Sequence, residues 1–206
     1  MDKSSTRNSE SLAVLEKLKV KQKNIFFIGD ELNISDQKII FNLNKIYKNL
    51  KKVLKKEKNY EVYTPTWEGG HPDHDATYLI GIKLKKKLKI NHYHFPLYSK
   101  KNNLFFNLLV PNSYALKNYN IKKINITFKD AIFYFFLTFK FRSQLKTFIV
   151  LWPSLILFYI FKRCQYIFQD KSKFIKKPAK GKLWYEIRYG FSFKRLEKKL
   201  NVFLSN

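Results

Sequence analysis

The feature that most constrains the fold is the alternation of strand-like and helix-like patterns in the first half of the chain. Residues 35–56 form the most regular segment, with apolar side chains at helical spacing, lysines opposite and Ser35 as a suitable N-cap. Strands are predicted on either side, at residues 24–29 and 60–63, and a further helix from about residue 74 to 87. This order predicts parallel strands joined by crossover helices, in an α/β, Rossmann-like layered domain.

The second half of the sequence is less regular and mixes predicted strands with apolar helices. The strands are expected at 90–97, 104–110 and 123–128, and the helices at about 10–18, 130–140, 144–164 and the C-terminus. Pro153 should kink or split the helix that contains it. Since no clear linker separates the halves, we predict that residues 1–206 form one domain. Its mostly parallel sheet should carry strand and helix additions from the second half.

The charge of the chain is strongly basic, with 41 Lys and Arg against 15 Asp and Glu and a net charge of +26. Such a balance is typical of proteins that bind nucleic acid or an anionic membrane surface. Arginine, however, occurs only at Arg7, Arg142, Arg163, Arg188 and Arg195. Because dedicated nucleic-acid binders use arginine for bidentate contacts, a solvated lysine-rich surface is the favoured interpretation and nucleic acid is not expected as a partner.

The longest apolar stretch runs over residues 147–161 and contains Pro153. It is shorter than the ~18 to 20 residues that a spanning helix needs. We therefore expect a buried helix pair or a segment that dips into a membrane surface. Cys164 is the only cysteine and the N-terminus shows no secretory pattern, so we predict a cytoplasmic protein, with peripheral membrane contact left open.

The residues that can carry chemistry lie in the segment TPTWEGGHPDHDA, which begins at Thr64. It follows a predicted strand and opens a predicted helix, the place where α/β sheets bind ligands. His71 and His74 are three residues apart, so a turn into the helix can aim both imidazoles at one point. Neutral imidazole ligates zinc or acts as a general acid, and Asp73 can fix the tautomer of one ring. Two histidines near an Asp are also common in polar loops, so the prediction of a functional site depends on the whole segment.

This segment resembles the second signature of the LmbE/PIG-L de-N-acetylases, which reads roughly TPxxxGGHPDHxA between a strand and a helix. Other stretches resemble the family in the same order. They are an R-x-x-E at residues 7–10, an FLG-like strand at 24–29 followed by Asp30 near the usual acidic residue, an aromatic-x-Ser-Gln at 141–144 and a G-x-L-x-Y-E at 181–186. The resemblance covers nearly the whole chain, but only the HPDH stretch is highly specific.

The resemblance implies a zinc-dependent hydrolase that removes the N-acetyl group from an amino sugar of a glycoconjugate or polysaccharide precursor. It implies that His74 is a zinc ligand and that His71 stabilises the oxyanion or protonates the leaving amine. Asp73 would then orient His71, and Arg7 and Asp30 would contact the substrate.

The sequence departs from the family at its first signature, AHPDDE, which does not occur in these residues. In the family that motif supplies two of three zinc ligands and the general base. One protein ligand cannot hold a catalytic zinc. We therefore expect an N-terminally truncated domain that is inactive by itself, through a misplaced start, gene decay or divergence to a binding role. The alternative function is a non-catalytic basic protein that binds an anionic membrane surface or nucleic acid.

Two other patterns have plainer interpretations. His92 and His94 alternate on a predicted strand and face one side. Since no acidic partner is near them in the sequence, we expect a pair at the sheet edge and not a metal site. The aromatic-rich residues 133–141 are expected to pack in the core.

Overall fold

A computed structural model describes residues 3–54, 60–100, 106–170 and 177–205. The chain divides into two compact units, which are described separately. Unit 1 comprises Met1–Ser35 and Asn125–Gln165, and unit 2 comprises Asp36–Ile124 and Tyr166–Asn206. The single domain expected from the sequence stays a prediction.

The secondary structure follows in chain order. The helices are α1 (Lys3–Lys17), α2 (Ile28–Glu31), α3 (Leu43–Leu54), α4 (Pro72–Leu88), α5 (Ser113–Asn118), α6 (Phe128–Leu137), α7 (Leu145–Leu157), α8 (Trp184–Tyr189) and α9 (Phe193–Ser205). The strands are β1 (Glu61–Pro65), β2 (Asn91–Phe95), β3 (Tyr98–Lys100), β4 (Phe106–Leu108), β5 (Tyr119–Asn125) and β6 (Cys164–Asp170). The α/β class predicted from the sequence is confirmed.

A four-stranded sheet in the order β1-β2-β6-β5 forms the framework of unit 2. β1 and β2 are parallel, with Glu61 opposite Asn91, and α4 connects them as the predicted crossover helix. β6 runs antiparallel to β2, with His94 opposite Phe168. The sheet is therefore mixed instead of mostly parallel. β3 and β4 form a separate antiparallel pair.

Helix α4 packs closely on the sheet because Gly81 faces β2. A Cβ atom at Gly81 would lie 2.4 Å from Nε2 of His92. The predicted amphipathic C-terminal helix is confirmed as α9, which buries Phe193, Leu196 and Leu200 at helical spacing.

Several boundaries in unit 2 differ from the prediction. The helix expected from Ser35 begins at Leu43, after a 3-10 turn at Ile39–Phe41, and its predicted end near residue 56 lies outside the described residues. α5 was not predicted, and β5 begins four residues before the predicted strand at 123–128. The side chain of Asn112 caps α5 by accepting from the Ala115 N–H at 2.8 Å, which gives the chain a local reason to turn there.

Unit 1 contains α1, which confirms the predicted N-terminal helix, but the strand expected at residues 24–29 is wrong. The chain instead forms a 3-10 turn at Gln22–Asn24 and then α2. Backbone N–H groups bond locally, from Ile25 to the Gln22 carbonyl and from Asp30 to the Phe27 carbonyl. A short apolar run has no period that separates strand from turn, and here local hydrogen bonds hold the backbone in turns.

Helices α6 and α7 form a hairpin in unit 1. Thr127 caps α6 by accepting from the Asp130 N–H at 3.1 Å. A 3-10 turn before α7 and a π-turn after it extend the second helix to Arg142–Lys162, 21 residues. Pro153 lies inside α7 and does not split it, and the run ends at Arg163, where φ is 41°. Cys164 therefore starts β6, and the prediction that the helix includes Cys164 is wrong.

The α6–α7 hairpin is mostly exposed. Among the described residues it contains one helical run, Arg142–Lys162, that is long and apolar enough to cross a membrane. Only 11% of the most apolar 18-residue stretch of this run is buried. Phe136 is 62% exposed and Phe139 is 41% exposed. The predictions of a buried helix pair and of core packing for residues 133–141 are therefore wrong.

Candidate active site

The HPDH segment lies where the sequence predicts, beyond the end of β1 and at the start of α4. The helix begins at Pro72, two residues earlier than expected, because proline suits the first helical position and His71 serves as N-cap. The Nδ1 atom of His71 accepts a hydrogen bond from the Asp73 N–H at 3.2 Å. A neutral His71 ring therefore carries its proton on Nε2.

The two imidazoles lie together and are not splayed apart. The ring centroids of His71 and His74 are 5.0 Å apart. Tyr189 meets the His71 ring edge-on at 5.6 Å, and Tyr98 meets the His74 ring in the same manner at 5.5 Å. The site therefore has aromatic walls contributed by residues far from the motif in sequence.

His74 is half-buried and neutral. Burial first, and then the neighbouring His71, lower the pKa of His74 to about 4. Its Nδ1 atom is buried and has no hydrogen-bond partner among the described residues. A neutral imidazole with a free ring nitrogen is the form that ligates a metal ion.

Asp73 has a different role from the one expected. Its backbone N–H contacts His71, but its carboxylate accepts from the Gln37 N–H at 2.6 Å and from the Ile39 N–H at 3.2 Å. Burial raises the pKa of Asp73 to about 6, against the effect of the Gln37 N–H group. The carboxylate thus fixes the segment before α3 to the start of α4.

Two buried carboxyl groups whose roles were not predicted, those of Glu68 and Asp75, hold the motif loop in place. Asp75 Oδ1 accepts from the N–H groups of Glu68 at 3.1 Å and Gly69 at 3.2 Å. Glu68 Oε1 accepts from the N–H groups of Leu97 at 2.8 Å and Tyr98 at 2.7 Å. Burial raises the pKa of Glu68 to about 8 and the pKa of Asp75 to about 7. In the folded protein at neutral pH, Glu68 is therefore largely protonated and Asp75 is about half protonated.

The two glycines of the motif are required by close contacts. Gly69 has a φ of +73°, and a Cβ atom there would lie 2.9 Å from Cδ2 of Leu183. A Cβ atom at Gly70 would lie 2.1 Å from the carbonyl oxygen of Tyr98. Backbone segments from three parts of unit 2 thus meet at this loop.

The C-terminal segment 181–186, whose G-x-L-x-Y-E pattern resembles the family only weakly, contacts the HPDH loop directly. The Trp184 N–H donates to the Gly69 carbonyl at 3.1 Å, and Leu183 is buried against the loop. Glu186 accepts from the N–H groups of Leu183 and Phe193, each at 2.8 Å, and so orders the chain around α8. This segment therefore supports the candidate site.

The predicted substrate contacts Arg7 and Asp30 lie in unit 1, whereas His71, Asp73 and His74 lie in unit 2. Within unit 1, Asn8 donates to the Asp30 carboxylate. Glu10 accepts from the backbone N–H of Ser143 at 2.7 Å and from its hydroxyl at 2.6 Å. Two stretches that resemble the family, 7–10 and 141–144, therefore meet. Substrate contact by Arg7 and Asp30 stays a prediction.

The second histidine pair forms a buried cluster with an acidic partner. His92 Nε2 and His94 Nδ1 pair with the hydroxyls of Thr64 at 2.8 Å and Thr66 at 2.7 Å. Their other nitrogens face Asp170 at 3.8 and 3.7 Å. The expectation of a sheet-edge pair without a carboxylate is wrong, because β2 lies between β1 and β6 and the partner comes from 76 to 78 residues later in the chain.

The donor groups do not complete a zinc site. In the parts of the chain that the structure describes, no three His, Cys, Asp or Glu side chains are grouped so that they could hold a metal ion. Catalytic zinc takes three protein ligands and an open position. His74 offers one suitable nitrogen, and the Asp73 carboxylate is engaged by backbone groups.

Comparison with known proteins supports the resemblance over the first part of the chain. Residues 1–85 match the family model described as GlcNAc-PI de-N-acetylase, PIG-L. The match includes residues 7–10 and the HPDH segment, and it stops before Tyr98 and Tyr189. No curated protein sequence and no solved structure gave a significant match.

Proposed function

We propose, from the match of residues 1–85 to the GlcNAc-PI de-N-acetylase family model, that this chain contributes the HPDH part of a site that deacetylates an N-acetylated amino sugar. The family is one of de-N-acetylases, which are amide hydrolases. We propose further that the substrate is an amino-sugar glycoconjugate, that the reaction depends on zinc, and that these residues are inactive by themselves. We also propose that the protein is cytoplasmic and peripheral to a membrane.

The observation that supports the proposal best is the pairing of His71 and His74 at the N-terminus of a 17-residue helix. Amide hydrolysis builds negative charge on the carbonyl oxygen and requires a proton for the leaving amine. A neutral His71 has a proton on Nε2 to donate, and the positive end of α4 favours the developing oxyanion. These are the roles that the family resemblance implies for His71.

The described residues supply only part of a zinc site. His74 is the described residue suited to hold it, through a neutral ring whose Nδ1 atom has no protein partner in this part of the chain. Since three protein ligands are needed, we expect no amine release from this chain alone.

The first test measures recognition without turnover. The imidazole NMR signals of the full chain are followed while an N-acetylglucosaminyl conjugate, or its free-amine counterpart, is added. The signals of His71 and His74 should shift with the N-acetylated compound and stay in place with the free amine. His71→Gln should weaken the response of the remaining ring, whereas Lys86→Ala, on the exposed face of the same helix, should retain it. Equal responses to both compounds would refute recognition of the acetyl group.

The second test supplies the family's first signature as an N-terminal fusion and measures amine release in the presence of zinc. His74→Ala should abolish any release and Lys86→Ala should leave it unchanged. Release that survives His74→Ala would contradict the assignment of His74 as a ligand.

A further inference from the structure

We propose that the α6–α7 hairpin of unit 1 docks on the surface of an anionic lipid bilayer without crossing it. This inference deepens the peripheral location proposed above but does not depend on the hydrolase activity, since the hairpin shares no residue with the HPDH site. It rests on the exposed apolar side chains, the placement of the charges and the way the hairpin is closed.

The hairpin presents a large apolar surface. Most of the large apolar side chains that are exposed in the described part of the chain lie between residues 128 and 161, among them Phe136 at 62%, Val150 at 72% and Phe161 at 74%. Soluble proteins rarely leave a contiguous surface of this kind uncovered. Between the start of α6 and the end of α7 the hairpin also forms an apolar groove of about 290 Å³.

The charges of the hairpin are confined to its two ends. Residues 131–139 and 147–161 contain no Asp, Glu, Lys or Arg. Cations lie at the closed end and at the turn, in the order Lys129, Lys140, Arg142, Lys146, Lys162 and Arg163, and the only acidic residue between 126 and 163 is Asp130. An apolar length with cations at both ends matches acyl chains beneath anionic headgroups, which attract lysine and arginine.

The closure of the hairpin argues against a membrane crossing. The Ile126 N–H donates to the Arg163 carbonyl at 2.8 Å, so the chain enters and leaves the hairpin at one point. The run Arg142–Lys162 has 21 residues and would extend about 31 Å, but α6 and the 3-10 turn that continues it to Lys140 extend only about 20 Å. Since the bilayer core is about 30 Å thick, α6 cannot return the chain across it.

Contacts inside the hairpin keep its two helices together. The Phe139 and Trp152 rings stack with centroids 4.5 Å apart, and the indole N–H of Trp152 donates to the Thr138 hydroxyl at 3.0 Å. At the turn, Glu10 of α1 accepts two hydrogen bonds from Ser143. The turn is thus attached to a polar helix, which fits a hairpin that lies along the lipid surface.

The test is co-sedimentation of the full chain with vesicles of phosphatidylcholine alone, or with about one third phosphatidylglycerol, at low and high salt. Binding should be at least about tenfold stronger to the anionic vesicles and should weaken with salt. The double variant Phe136→Asp and Phe161→Asp should lose at least about tenfold in binding. Leu116→Asp alters an exposed apolar residue of unit 2 and should bind as the wild type does.

Four results would overturn the proposal. The first is binding that ignores lipid charge, and the second is a double variant that binds as well as the Leu116→Asp control while circular dichroism shows both folded. The third is a wild-type dimer that the double variant converts to a monomer with no change in vesicle binding, because a second copy would then cover the apolar surface. Resistance of bound wild-type chain to alkaline extraction would refute surface docking in favour of insertion.

Discussion

Replacing Glu68 by Gln should remove a large part of the pH dependence of the chain's stability between pH 5 and 8. Glu68 is 3% exposed, and its Oε1 atom accepts from two backbone N–H groups. Burial raises the pKa of this carboxyl from 4.5 to about 8, so the folded chain keeps the proton at neutral pH. Glutamine retains the volume and the accepting oxygen but does not titrate.

The sign and size of the effect follow from the two pKa values. Between pH 4.5 and 8 the folded chain binds a proton that the unfolded chain has released. The stability that Glu68 contributes is fully present below its pKa in the unfolded chain. Above that pKa the contribution falls by nearly 1.4 kcal/mol per pH unit, or about 2 kcal/mol from pH 5 to 7. The glutamine variant should not show this loss.

The assay is urea denaturation of the wild type and Glu68→Gln across this pH range. The difference between the two free energies of unfolding cancels the contributions of titrating groups that do not interact with Glu68, such as Asp73. Glu16→Gln, which removes an exposed carboxylate of α1, serves as the control and should follow the wild-type curve. Parallel curves for wild type and Glu68→Gln would refute the reasoning, because the two N–H donors would then be holding an ionised Glu68.

Three further substitutions test the framework of unit 2, and all are measured by urea denaturation. Gly70→Ala should cost about 3 kcal/mol, since its Cβ would meet the Tyr98 carbonyl at 2.1 Å. Gly181→Ala has open space but a φ of +71°, so it should cost only about 1 kcal/mol, and equal losses would contradict the steric argument. Asp170→Asn should cost about 2 kcal/mol at pH 7, because the two histidines of β2 would lose the carboxylate that they face. A stability unchanged by Asp170→Asn would show that the cluster carries no net electrostatic stabilisation.

The sequence was sufficient to predict features that depend on neighbours along the chain. The strand, loop and helix around the HPDH segment were foreseen, because Pro72 and the glycines give local signals for the turn and for the start of α4. The apolar residues 24–29 gave no such signal, and their assignment as a strand was wrong. The end of the α7 run at Arg163 was also missed, since a left-handed arginine has no signature in sequence.

Contacts between distant residues could not be predicted from patterns. Asp170 faces His92 and His94 only because β6 lies beside β2 in the sheet. The carboxylate of Asp73 is engaged by residues 37 and 39, although its neighbour His71 was the expected partner. Such pairings depend on how the elements pack, and single-sequence periodicity contains no information on that.

The hydrogen bond from Trp184 to Gly69 has a consequence for the order in which the protein can be made. The motif loop leaves the ribosome long before the tryptophan that closes it, so the nascent chain carries the histidines for most of its synthesis without Leu183 and Tyr189 beside them. Translation must proceed past α8 before Tyr189 can pack against the His71 ring. The histidine pair therefore matures as one of the last events in the biogenesis of unit 2.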